Sequence, residues 1–171
     1  MINILTFSTL YPNSVRPGHG IFVENRLRHL LATGEVSADV IAPAPWFPFS
    51  GNRFGEYGAF ARVPHIETRH GISIHHPRYP LIPKIGMTIA PWLIFQAMKN
   101  HIRNRLENGN DFDLIDAHYF YPDGVAAAML GRHFNKPVVI TARGSDVNVI
   151  AEFSRPRQSI LRAAESAASV I

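Results

Sequence analysis

The chain has 171 residues, of which 46% are apolar and 18% charged, with no cysteine and a formal net charge of +4. Such a composition builds the core of one ordinary domain, or of one large half of a two-domain protein, and excludes general disorder. It also excludes disulfides, thiolate metal sites and a cysteine nucleophile, and the longest apolar stretch, near Ile89–Met98, is too short to span a bilayer.

Met1 leads into an apolar run with neither the basic nor the apolar region of a signal peptide, so a cytoplasmic location is expected. Arginine supplies 14 of the 17 basic residues, which suits gripping of phosphate or carboxylate in a fixed geometry. These arginines are scattered, coming no closer than pairs such as Arg103/Arg105 and Arg155/Arg157, and no nucleic-acid-binding signature accompanies them. Nucleic acid is therefore not expected as a partner. Anionic lipid or a phosphorylated small molecule fits better.

In chain order, Ile2, Ile4, Leu5 and Phe7 read as a strand buried on both faces of a parallel sheet. A loop over 8–20 carries the breakers Pro12, Asn13, Pro17, Gly18 and Gly20. From Ile21 the apolar positions Val23, Leu27, Leu30 and Leu31 recur at helical spacing, and Gly34 marks the stop. Gly20, just ahead of a helix, admits two readings of equal weight. Either a phosphate or carboxylate approaches the positive end of the helix, or this is an ordinary strand-to-helix loop shaped by two prolines.

Residues 36–42 predict a second buried strand. A nicotinamide-binding unit would need G-x-G-x-x-G after the first strand and an acid ending the second. Here Val23 stands at the third glycine and Ala42-Pro43 ends the strand, so that reading fails. The stretch 43–83, rich in proline and aromatics, predicts a long insertion with one short strand at 72–76, its aromatics mostly packing over the sheet. His65, His70, His75 and His76 match no zinc spacing, so no metal is assigned. Residues 88–107 predict a helix with a thick apolar side and a basic second half. That helix covers the sheet, and with Lys84 and Trp92 could also meet an anionic membrane surface.

Further strands are predicted at 112–117 and 137–141, and helices at 122–134 and 157–168. Ser145 or Asp146 is a candidate cap for a helix after Gly144, with Arg143 a partner for Asp146. Ser169-Val170-Ile171 resemble the start of another strand, from which a longer chain is expected. Alternating strands and helices give a doubly wound parallel α/β sheet, with ligands beyond the carboxyl ends of its strands. The glycine-bearing or polar strand-end loops at 17–20, 118–123 and 143–146 are expected to converge there. His118 reads there either as a base or hydroxyl binder, or as a histidine merely hydrogen-bonded at a strand end.

Three motifs resemble a known family: P-x-x-x-x-P-G-H-G-I-F (12–22), D-L-I-D-A-H (113–118) and P-V-V-I-T-A-R-G-S-D (137–146). Together they are similar to the N-terminal domain of retaining family 4 glycosyltransferases, whose GT-B architecture joins two Rossmann-like domains. The resemblance implies that residues 1–171 form the acceptor-side domain and that the C-terminal donor-binding domain is absent from this chain. It implies that Gly18 and Gly20 approach the donor's diphosphate. Thr141, Arg143, Gly144 and Asp146 would face the donor sugar, with Arg143 where the family more often has histidine. His118, as the catalytic candidate, would lie near the acceptor, alongside His19, Tyr119 and Tyr121 as acceptor contacts.

The activity so implied is transfer of a sugar from a nucleotide-sugar to an acceptor hydroxyl with retention and without a metal or other cofactor. Bacterial exopolysaccharide or another cell-surface glycan is the expected product, the acceptor a glycan or lipid-linked glycan, and the location the inner face of the membrane. No pair of glutamates matches the family's E-x7-E element, so the fragment alone is expected to be inactive. The alternatives are a non-catalytic anion- or membrane-binding module, or a GT-B epimerase or phosphorylase.

Overall fold

The computed structural model describes residues 1–81 and 86–171; Lys84, named above for membrane contact, lies outside the described residues. β1 (Ile2–Phe7) is followed by α1 (Ile21–Leu31) and β2 (Val36–Ile41). Alternation along these strands sends Ile4 and Val40 to one face of the sheet and Leu5, Phe7 and Ile41 to the other. Tyr11 and, from α1, Val23 and Leu27 cover the first face. That is why the strands read as unbroken apolar runs rather than as alternating ones.

The stretch 43–83 is more regular than an insertion. It forms β3 (Ala44–Trp46), α2 (Gly55–Arg62), β4 (Ile66–Arg69), β5 (Ile72–His75) and β6 (Arg78–Pro80). β5 pairs parallel with β2 and antiparallel with β4, so both belong to the central sheet, and β3 pairs with β6 in a separate parallel ladder. Strands of three or four residues are too short to show a period; β5 forms on the edge that β2 offers, β4 pairs back onto β5, and β3 and β6 pair with each other. Between β3 and β4, Phe47, Phe49, Phe54, Tyr57 and Phe60 pack on one another with ring centroids 5.1–6.4 Å apart.

α3 (Gly86–Glu107) begins two residues earlier than its apolar period suggests. Ile94, Met98 and Ile102 are buried against the sheet, whereas Trp92 is exposed. Arg105 is not simply a cation at a helix end: it pairs with Asp39 of β2. β7 (Leu114–His118), α4 (Val125–Phe134), β8 (Val138–Thr141), α5 (Ser145–Asn148), α6 (Ser154–Ser166) and β9 (Ser169–Val170) complete the chain. The helix expected from Pro122 is preceded by an irregular turn, Phe120–Gly124, in which Tyr121 is extended. α4 packs close because Ala126 and Ala127 are small, and it joins α3 and α6 in covering the second face.

The central sheet runs β4-β5-β2-β1-β7-β8-β9, parallel except at β4. The chain therefore winds one way from β1 to β2 and the other way to β7. This reversal opens a crevice at the carboxyl ends of β1 and β7, the place where open α/β sheets bind ligands.

Candidate functional site

Register sets what meets at this edge. Phe7 pairs with Ala117 and His118 with Thr141, so the loops after β1, β7 and β8 leave the sheet side by side. The first two are tied by buried Asp123. Its carboxylate accepts the Thr9 N–H at 2.7 Å and the Thr9 hydroxyl at 3.0 Å, with the Ser8 hydroxyl at 3.1 Å. Ser8 Oγ also lies 2.9 Å from the His118 carbonyl and accepts the Leu10 N–H. Burial pushes the Asp123 carboxyl up to about 7, against the pull of the Thr9 and Ser8 hydrogen bonds.

A second network lies across β7. Arg26 of α1 donates to Asp116 Oδ2 at 2.7 Å, and Arg143 donates to His118 Nδ1 at 2.9 Å. Because Arg143 is only a donor, the ring N–H sits on Nε2, 3.1 Å from Asp116 Oδ2. Burial alone would raise the Asp116 carboxyl; the His118 hydrogen bond and Arg26 outweigh it and hold it below the usual carboxylate range. Burial and neighbouring Arg26 lower Arg143. Its guanidinium lies 4.8 Å from the centre of the Phe22 ring, which joins the β8 loop to the start of α1.

The three expected loops thus meet at one edge, but their residues do not all face outward. The His118 ring is 0% exposed with both nitrogens engaged, so it positions Arg143 and is not open to an acceptor. Tyr121, expected as an acceptor contact, is 1% exposed and donates its hydroxyl to the Met87 carbonyl as part of the core. Asp146 does not cap its helix, and its carboxylate takes no part of the Arg143 guanidinium either. It accepts the backbone N–H of Phe120 and, at 2.9 Å, of Arg143, bracing the β7 and β8 loops together.

Tyr119 sits at φ 77 with its hydroxyl 3.0 Å from Ser145 Oγ. Gly144, at φ 99, opens the turn into empty space, and Thr141 Oγ1 is buried without a partner among the described residues. Gly18 is exposed. Gly20, at φ 69, is buried, because a Cβ there would stand 2.2 Å from the Leu10 carbonyl oxygen. No side chain caps the α1 N-terminus it precedes. His19 lines a separate cleft with Thr9, Arg16, Pro45, Phe60 and His76, and burial, followed by Arg16, lowers its ring.

Sequence reasoning passed over Phe22, Glu24, Arg26, Asp116 and Asp123. Glu24 is fully buried and takes Arg69 Nε–H at 2.7 Å and Nη2–H at 3.2 Å, fastening α1 to the β4–β5 hairpin. The available signal was polarity inside apolar periods: Glu24 and Arg26 in α1, and Asp116 inside a buried strand. Among the described residues no three His, Cys, Asp or Glu side chains are grouped to hold a metal ion, and no helix is long and apolar enough to cross a membrane.

The domain is of the α/β, Rossmann-like class that makes up GT-B proteins, with its crevice at the switch point. In sequence it is glycosyltransferase-like. Over 99% of its length it is 29% identical to TuaC of Bacillus subtilis (strain 168), named a teichuronic acid biosynthesis glycosyltransferase. Among solved structures, a protein described as a UDP-N-acetylglucosamine 2-epimerase from Listeria monocytogenes aligns over 99% of the chain with a TM-score of 0.56 at 12% identity, a likeness of fold alone. Arabidopsis thaliana UGT89C1, solved with UDP, aligns over 99% of the chain at a TM-score of 0.49 and 9% identity. The chain spans 43%, 39% and 44% of these proteins respectively, less than half of each. No family model matches it.

Proposed function

We propose that this chain is the acceptor-side domain of a retaining GT-B glycosyltransferase of family 4 type, acting in the synthesis of a bacterial cell-surface polysaccharide. The observation that carries the proposal is the meeting of the β1, β7 and β8 loops at the switch point, joined by Arg26, Asp116, His118 and Arg143. The sequence similarity to TuaC, which runs over 99% of this chain, supports the polysaccharide reading.

In this reading a second domain supplies the nucleoside pocket and closes over the crevice. The departing diphosphate lies near the uncapped start of α1, beyond Gly18 and Gly20, where unspent N–H groups and the helix dipole favour negative charge. Arg143 reaches toward the transferred sugar, on a loop shaped by Thr141, Gly144 and Asp146. His118 acts through Arg143 as a positioning residue. Tyr119 and the cleft at His19 lie on the acceptor side, with a lipid-linked glycan as acceptor and an anionic membrane surface alongside. Chemistry of this kind uses no metal, because cationic side chains and N–H groups take up the developing charge.

The test is made on the full-length protein that carries these residues. With labelled nucleotide-sugars and glycan acceptors it transfers sugar with retained anomeric configuration, and a chelator leaves the rate unchanged. The 171-residue chain alone turns nothing over, and binding to anionic liposomes reports the membrane contact. Arg143→Ala lowers kcat/KM by about a hundredfold, the scale of losing one preorganised donor. Undiminished turnover in Arg143→Ala would remove the site assignment.

A further inference from the structure

Phe47, Phe49, Phe54, Tyr57 and Phe60 belong to neither apolar core of the central sheet and pack on one another instead. Their frame is firm. Arg62 of α2 donates to the Ser50 carbonyl at 2.7 Å, and Gly58 is buried where a Cβ would stand 2.5 Å from the Gly51 carbonyl oxygen, so α2 closes on the loop before it. Yet Phe49 is 53% and Tyr57 42% exposed. Phe49 stacks on Phe54 with centroids 5.1 Å and planes 18° apart, which covers one face of its ring and leaves the other face and the rim to solvent.

The aromatic strip starts at the His19 cleft. Phe60 lines that cleft, Tyr57 lies 6.4 Å from Phe60, Phe47 lies 5.3 Å from Tyr57, and Phe49 lies 6.0 Å from Phe47. Arg16, another lining residue, ties cleft to strip: its guanidinium is 5.4 Å from the centre of the Phe60 ring and 3.5 Å from Glu56 of α2.

We propose that the strip is an extended glycan site: with the terminal sugar of a polymeric acceptor in the His19 cleft, the sugars behind it lie across Tyr57 and Phe49. A pyranose ring has an apolar C–H face with hydroxyls at its rim, and a half-exposed aromatic ring removes that face from water whichever sugar carries it. Rings already fixed in place lose little freedom on binding. A bilayer suits the strip less well. Residues 46–62 hold no Leu, Ile, Val or Met, and two arginines against one glutamate leave a single positive charge there. Each cation at an anionic surface contributes about 1 kcal/mol, so one holds little. The proposal rests on the glycosyltransferase reading above, which supplies the polymer.

Calorimetric titration of the full-length protein tests it, with cellopentaose against glucose and chitopentaose against N-acetylglucosamine, and with a panel of nucleotide-sugars titrated separately. The wild type prefers one or both pentamers to their monomers by roughly tenfold, the scale of taking about two CH2 groups out of water. Phe49→Ala and Tyr57→Ala each cut that preference and together remove most of it. Tyr57→Trp, which keeps a flat ring, keeps the preference, and thermal melting verifies that the variants fold. Equal affinity within both pairs, no binding of any of the four, or a preference that survives both substitutions overturns the proposal; nucleotide-sugar binding then shows the glycosyltransferase reading still standing. Binding to anionic vesicles, or dimerisation, that is lost in the double variant without any pentamer preference also overturns it, since the strip is then a membrane or dimer contact. Pentamer preference with no nucleotide-sugar bound overturns the glycosyltransferase reading alone.

Discussion

Gly20→Ala strikes the loop that sets the whole crevice. At φ 69 an alanine costs about 1–2 kcal/mol relative to glycine. Its Cβ would also stand 2.2 Å from the Leu10 oxygen and 2.4 Å from the Leu10 carbonyl carbon, and both are backbone atoms. Leu10 cannot easily move away, because its N–H is held by Ser8 Oγ and the preceding Thr9 N–H by Asp123. Forcing extra atoms into a packed site costs about 1–3 kcal/mol more. The sum, about 2–5 kcal/mol, lowers Tm by roughly 4–20 °C for a domain of this size. Gly18→Ala is the control: nothing lies within 4 Å of its Cβ, and Tm stays within about 2 °C of wild type. Thermal unfolding followed by circular dichroism reads both. An unchanged Tm in Gly20→Ala would show that the loop yields freely and that Asp123 does not anchor it.

Two further predictions concern groups buried behind the crevice. Arg69→Met leaves the Glu24 carboxylate inside without its bidentate partner, costing about 3–5 kcal/mol; Glu24→Gln added to it recovers at least half, and equal melting of single and double variants would contradict the pairing. Asp123 has its folded pKa raised to about 7 by burial, so its contribution to stability is full below about pH 4 and is lost as pH climbs to about 7. Denaturant melts of wild type and Asp123→Asn across that range therefore converge or cross with rising pH, and a constant gap would refute the shift.

The part of the fold that could be read from residues was the part with long-range repetition. β1, β2, α1 and α3 show apolar periods set by burial on one face or two, and those periods survive in the linear chain. Proline and glycine likewise mark the loop over 8–20, because they constrain φ wherever they stand. The 43–83 stretch resisted such reading: β4 and β5 are four residues each and are defined by their pairing, β5 on β2 and β4 on β5.

For the site, the strand-end loops were legible because parallel α/β topology sends every such loop to one edge. Which side chains face the crevice was not. His118 and Tyr121 look like surface chemistry in the sequence, yet both are enclosed, and Arg26, written among the polar positions of a helix, reaches Asp116 ninety residues away. Residue type and period specify an element and its apolar face. Whether a polar group meets solvent or a distant partner depends on pairings that exist only once the sheet has closed, and only the tertiary structure decided those.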